Sequence, residues 1–134
     1  MTGLKELSIG DALPPIELEP VSRLDLIKYA GASGDFNPIH TIDEEAKKAG
    51  LPGIIAHGMW TMGNLAKLFS PYYDSGFVKD YSVRFRHMVF LGDRLTLEAT
   101  LSKIDGEDLT FDVVTTNQEG KTIIKGKLVF TCIE

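Results

Sequence analysis

The stretch His57-Gly58-Met59-Trp60-Thr61-Met62-Gly63-Asn64-Leu65-Ala66-Lys67-Leu68-Phe69-Ser70 decides how the rest of the chain folds. Met59, Met62, Leu65, Ala66 and Phe69 share one helical face, and Trp60, Gly63 and Leu68 make most of the remainder apolar. A helix apolar nearly all round is predicted to be buried, with Lys67 reaching out along its own stem. From residue 77 onward the period changes from helical to two. Tyr81, Val83, Phe85, His87 and Val89 fall on one strand face; Leu95, Leu97, Ala99 and Leu101 on a second; Leu109, Phe111 and Val113 on a third; Ile124, Gly126, Leu128, Phe130 and Cys132 on a fourth. Turn signals at Gly92-Asp93, Asp105-Gly106 and Asn117 to Gly120 separate these runs. One buried helix followed by four strands in series predicts an α+β fold, an antiparallel sheet wrapped around that helix.

Working backwards, Ile16 to Glu19 alternates between prolines and reads as a short edge strand, which makes about five strands in all. Residues 1–14 read as an irregular lead-in with a turn at Gly10-Asp11. Ser22 and Asp25 have capping-box spacing, and Leu24, Ile27 and Ala30 or Gly31 keep a helical period up to Gly34. A second short helix is expected from Asp43 to Ala49, capped by Asp43 and closed by Gly50. Without internal repeat or linker, residues 1–134 read as one domain.

Composition excludes several functions. Hydrophobic residues make up 43% and charged residues 25%, ordinary values for a globular protein. The net charge of −5 argues against a nucleic-acid binder, which needs a basic footprint. No run approaches a membrane span, Met1 to Glu6 does not read as a secretion signal, and Cys132 is the only cysteine. The expected compartment is the cytoplasm. No metal-ligand spacing and no glycine-rich phosphate loop stands out, so no metal and no cofactor are expected.

Chemistry concentrates in Gly34-Asp35-Phe36-Asn37-Pro38-Ile39-His40. Pro38 removes a donor and biases Asn37 away from the helical region, while Gly34 and Asn37 suit turns. Asp35 and His40 therefore sit on a rigid loop, where they either hold one activated water between them or serve as a backbone cap and a surface residue.

This loop, preceded by Tyr29-Ala30-Gly31-Ala32-Ser33 and followed by Ala46 and by Ile55-Ala56-His57-Gly58-Met59, resembles the MaoC-like (R)-specific enoyl-thioester hydratases, also called hydratase 2. The resemblance is close over roughly residues 21–70. It implies a hotdog fold, dimers with active sites near the subunit interface, and reversible hydration of trans-2-enoyl thioesters to (R)-3-hydroxyacyl thioesters, as used in fatty-acid metabolism. It implies a CoA or acyl-carrier-protein thioester as substrate, and Asp35 and His40 as the catalytic pair. It further implies that the Gly58 amide polarises the thioester carbonyl; the start of a helix offers such an N–H with help from the dipole.

Asn37 reads as a loop-former that orients the pair, and His57 as structural or loop-orienting. Met59 and Met62 either line an acyl pocket or fill the core, and Trp60 is core or tunnel wall. Arg84, Arg86 and Lys79 either meet CoA phosphates or an acidic carrier protein, or form a solvated strand face. His87 reads as a half-buried structural histidine in mid-strand, and Cys132 as a small buried apolar side chain. Two alternatives stay open: a thioesterase on the same fold, and a non-catalytic acyl-thioester binding subunit of a heterodimer. The intact Asp35–His40 pair argues against both.

Overall fold

The structure is a computed structural model that describes residues 3–133; Met1 and Thr2, the start of the expected lead-in, lie outside them. Five strands form one antiparallel sheet: β1 (Ile16–Glu17), β2 (Gly76–Phe85), β3 (Thr96–Asp105), β4 (Asp108–Thr116) and β5 (Thr122–Cys132), in the spatial order β1-β3-β4-β5-β2. Three helices interrupt the chain before β2: α1 (Arg23–Ser33), α2 (Asp43–Lys48) and α3 (Gly58–Leu65).

The period-two pattern places the core as expected. Leu95, Leu97, Ala99, Leu101, Leu109, Phe111, Val113, Ile124, Leu128 and Phe130 are all buried. Each large apolar side chain withdrawn from water contributes about 1.5–3 kcal/mol. α3 packs against β3 and β4, and the Tyr81 hydroxyl of β2 donates to the Met62 carbonyl at 2.6 Å, so the sheet holds the helix from several strands. β2 and β5 approach closely at two glycines. A Cβ on Gly126 would run into the Ser82 carbonyl oxygen, and one on Gly76 into that of Thr131.

Several expectations change. The regular helix stops at Leu65 and continues to Tyr72 as a tighter 3-10 turn containing Pro71, whose missing N–H does not support an α-helical ladder. The central helix is also not buried all round. Thr61, Leu65, Leu68 and Phe69 face the core, but Met59 is 58% exposed and Gly58 and Gly63 are exposed. On α1 the buried residues are Leu26 and Ala30, while Leu24 and Ile27 face outward. Buried Val21 leads into α1, and the buried face of the helix lies about a quarter of a turn from the expected one. The capping box itself forms: Ser22 Oγ accepts from the Asp25 amide at 3.1 Å, and Asp25 accepts from the Ser22 amide at 3.2 Å.

Asp43 does not cap α2. Ile42 holds that position, and Asp43 instead pairs with Arg23 at 2.7 Å, which holds its carboxyl below the usual carboxylate range. β2 ends at Phe85, so His87 and Val89 are not part of it. His87 is exposed and its ring bonds the Thr122 carbonyl at 2.8 Å. The lead-in is less irregular than expected: Leu13 donates to Ala99 and Gly10 to Leu101, docking the chain along the outer side of β3.

Candidate active site

The loop between α1 and α2 is built by its own side chains. Gly34 ends α1 at φ +78°, a left-handed conformation that glycine adopts freely. Asp35 Oδ1 accepts from the Asn37 amide at 3.2 Å, and Asn37 Oδ1 accepts from the Ile39 amide at 3.2 Å. These local bonds start a 3-10 turn at Pro38–His40. Asn37 is thus the loop-former the sequence suggested.

The turn carries His40 inward. His40 is 8% exposed, whereas the Asp35 side chain is about half exposed. His40 Nδ1 lies 2.7 Å from the Ile55 carbonyl, which only accepts, so Nδ1 carries the proton and Nε2 presents a lone pair. That Nε2 is 3.9 Å from Asp35 Oδ2. The distance is too long for a direct hydrogen bond, and it suits one water bonded to both groups.

His57 is the other buried imidazole. It precedes α3 as its N-cap, and its Nε2–H donates to the Asp35 backbone carbonyl at 3.1 Å. Its ring stacks on that of His40, and Tyr29 meets it edge-on at 4.8 Å. Burial pushes the His57 pKa below its ordinary value, and the neighbouring His40 pushes the same way. His57 is therefore a neutral clamp between the loop and α3.

Gly58 and Met59 open α3 with N–H groups that have no intrahelical acceptor, while Trp60 and Thr61 both donate to the His57 carbonyl. A cavity of about 440 Å³ lies over this helix start, lined by Tyr29, Ser33, Asp35, Gly58, Met59 and Phe85. Met59 is thus at the site. Trp60 and Met62 pack against the core instead. Arg84 and Arg86 line a separate open groove with Lys125 and Lys127, outside both cavities that hold the loop residues. Lys79 pairs with Asp108 at 2.7 Å.

Asp35, His40 and His57 each bring one ligand-type atom within 4.8 Å of the others. The stacked rings lie in planes only 23° apart, so one ion cannot lie in both planes at bonding distance. The arrangement suits proton transfer rather than chelation by both rings. The Ile55 carbonyl, Tyr29 and Phe85 escaped sequence reasoning. The sequence set Phe85 in mid-strand, and only the structure ends β2 there.

Known proteins resemble this chain in sequence and in fold. The family model described as "MaoC like domain" matches residues 8–122. The chain is 33% identical over 89 residues to the mitochondrial 3-hydroxyacyl-[acyl-carrier-protein] dehydratase of Arabidopsis thaliana; the alignment covers 66% of this chain and 52% of that protein. The chain thus spans about half the length of this curated relative. An unliganded R-hydratase from Pseudomonas aeruginosa superposes with a TM-score of 0.88 at 25% identity, over 97% of this chain and 84% of that one. A solved MaoC-like dehydratase gives 0.84 at 35% identity, over 97% of this chain and 41% of that one. The sheet around α3 is accordingly a hotdog fold.

Proposed function

The chain belongs to the MaoC-like domain family, and from that premise we propose that it reversibly hydrates trans-2-enoyl thioesters to (R)-3-hydroxyacyl thioesters. The observation that carries this reading is the 3.9 Å separation of Asp35 Oδ2 and His40 Nε2, with the His40 tautomer set by Ile55. A water held between them is activated at the Nε2 lone pair. Its oxygen attacks the β-carbon, its proton passes to the pair, and a proton is returned to the α-carbon from the same face. Such general acid–base help is worth ~10²–10⁴-fold. The Gly58 N–H, aided by the helix dipole, receives the charge that develops on the thioester oxygen. Run backwards, the same groups dehydrate a 3-hydroxyacyl thioester. The balance of atoms needs nothing beyond water and the thioester.

The names of relatives support the substrate class, one being a 3-hydroxyacyl-acyl-carrier-protein dehydratase and another an R-hydratase. Met59 lines the cavity over the Gly58 N–H in this reading. Arg84 and Arg86, with Lys125 beside them, form a positive surface suited to CoA phosphates or an acidic carrier protein, while Lys127 in the same groove is paired with Asp112. We further propose residues 1–134 as one domain working as a homodimer. β2 is a ten-residue edge strand, and Phe77 on it is about half exposed; a second copy would satisfy both the edge and that apolar surface. A light-scattering mass of one chain would refute the dimer. Among the described residues no helix is long and apolar enough to cross a membrane. The cytoplasm is the compartment we propose, on the lone buried thiol of Cys132.

The deciding assay follows loss of the conjugated enoyl absorbance of crotonyl-CoA, with Asp35→Asn and His40→Ala beside the wild type. Turnover lost in both variants supports the pair. Wild-type turnover in both sinks it, and release of free thiol from a saturated acyl-CoA would favour thioester hydrolysis instead.

A further inference from the structure

His40 and Asp35 open onto different cavities. Asp35 lines the 440 Å³ cavity described above. His40 lines a second, smaller one of about 210 Å³, with Ala56, Thr61, Val89 and Ile123 among its walls. Gly58 and Phe85 border both. The Phe85 ring stands so close over Gly58 that a Cβ on the glycine would meet its Cε1 at 3.1 Å. Phe85 closes β2, shares the inner strand face with Tyr81 and Val83, and is still 53% exposed. A large aromatic left half in water at the junction of two cavities is held there by neither core packing nor a hydrogen bond.

We infer that Phe85 is the partition that sets acyl-chain length, and that the substrates are short-chain enoyl thioesters. The inference rests on the hydration reading. With the thioester oxygen at the Gly58 amide and the β-carbon between Asp35 and His40, the tail leaves the reacting carbons on the His40 side. There it enters the smaller cavity. At about 30 Å³ per water-sized unit, similar to one methylene, that space holds on the order of seven carbons. It is smaller than the roughly 300–1,000 Å³ of most ligand cavities. Longer tails need the Phe85 ring to swing off Gly58, which joins the two cavities.

The test is a chain-length series. Wild type, Phe85→Ala, Phe85→Leu and Phe85→Trp are assayed with four- and twelve-carbon trans-2-enoyl-CoA. Binding of butyryl-CoA and dodecanoyl-CoA, which cannot react, is measured by calorimetry on the same proteins, and thermal melts confirm that each is folded. The wild type is expected to favour the four-carbon substrate at least ten-fold in kcat/KM. Alanine and leucine should raise the twelve-to-four-carbon ratio at least ten-fold, mainly through KM, with the binding ratio moving the same way; tryptophan should lower both. Leucine keeps the inference testable should the alanine variant unfold. Ratios within two-fold of wild type in both smaller variants would overturn the partition, as would failure of every protein to bind either saturated thioester. A shifted binding ratio without turnover in the wild type would sink the hydration reading and leave the partition standing. Turnover with unmoved ratios would do the reverse.

Discussion

The imidazole of His40 lies flat on that of His57, with ring centres 3.8 Å apart and planes 23° apart. Two stacked imidazoles repel if both are charged, so one must stay neutral for the other to cycle a proton. Burial makes His57 the neutral one. Its Nδ1 is buried without a hydrogen-bond partner among the described residues, consistent with a ring held for shape and position.

The first prediction concerns pH and stability. The His57 pKa is lowered in the folded chain from its ordinary 6.5. Below that value the unfolded chain takes up a proton that the folded chain resists. The contribution is therefore fully present above pH 6.5 and is lost as pH falls through the folded value. A Tm series from pH 7.5 to 5 should decline, and the decline should be shallower in His57→Gln, whose amide still reaches the Asp35 carbonyl. Parallel curves would refute it. Asp35 and His40 face the same ring and are present in both proteins.

The second prediction separates the base from its clamp. His40→Ala should lower kcat by ~10²–10⁴-fold, with KM for crotonyl-CoA little changed. His57→Gln should lower kcat less. A larger loss from His57→Gln would mean that the roles are reversed.

A third prediction tests the Gly58 amide. Proline is tolerated at the first position of a helix, where its missing N–H breaks no intrahelical bond. Gly58→Pro should cost about 10²–10³-fold in kcat, the usual loss for one such donor. Gly58→Ala adds a comparable Cβ against Phe85 but keeps the N–H. Equal losses in the two variants would assign the effect to crowding rather than to the amide.

The fourth prediction is structural. Gly126 on β5 lies opposite Val83 on β2, and a Cβ there would run into the Ser82 carbonyl oxygen. Gly126→Ala should lower stability by about 1–3 kcal/mol through forced backbone shifts, read as an earlier urea midpoint. An unchanged midpoint would show that the two strands separate freely.

The sheet was legible because its signal is local. Leu97, Ala99 and Leu101 alternate with polar neighbours, and no other arrangement hides all three. The Ser22–Asp25 box was legible for the same reason. The α1 face was not, because Leu24 with Ile27 and Leu26 with Ala30 both keep helical spacing, and Val21 chooses between them only in three dimensions. At the site, the turn that brings Asp35 and His40 within 3.9 Å was legible from residue type and turn chemistry. The partner that orients His40 was not, since it is a main-chain oxygen contributed by Ile55, fifteen positions away, and backbone atoms leave no trace in side-chain identity. Phe85 reads as one more alternating apolar residue until the sheet curls it over Gly58.

Ile55 and Ala56 stitch three segments together: the Ile55 amide donates to Ile39, its carbonyl accepts from His40, and the Ala56 amide donates to Val89. The acid–base loop and the start of α3 are thereby fastened to one short cord. Local opening there would slacken every reacting group simultaneously, so hydrogen exchange should release the Ile55 and Ala56 amides in a single concerted event rather than one by one. An enzyme fastened in this way would lose activity all at once on warming, well before its sheet melts.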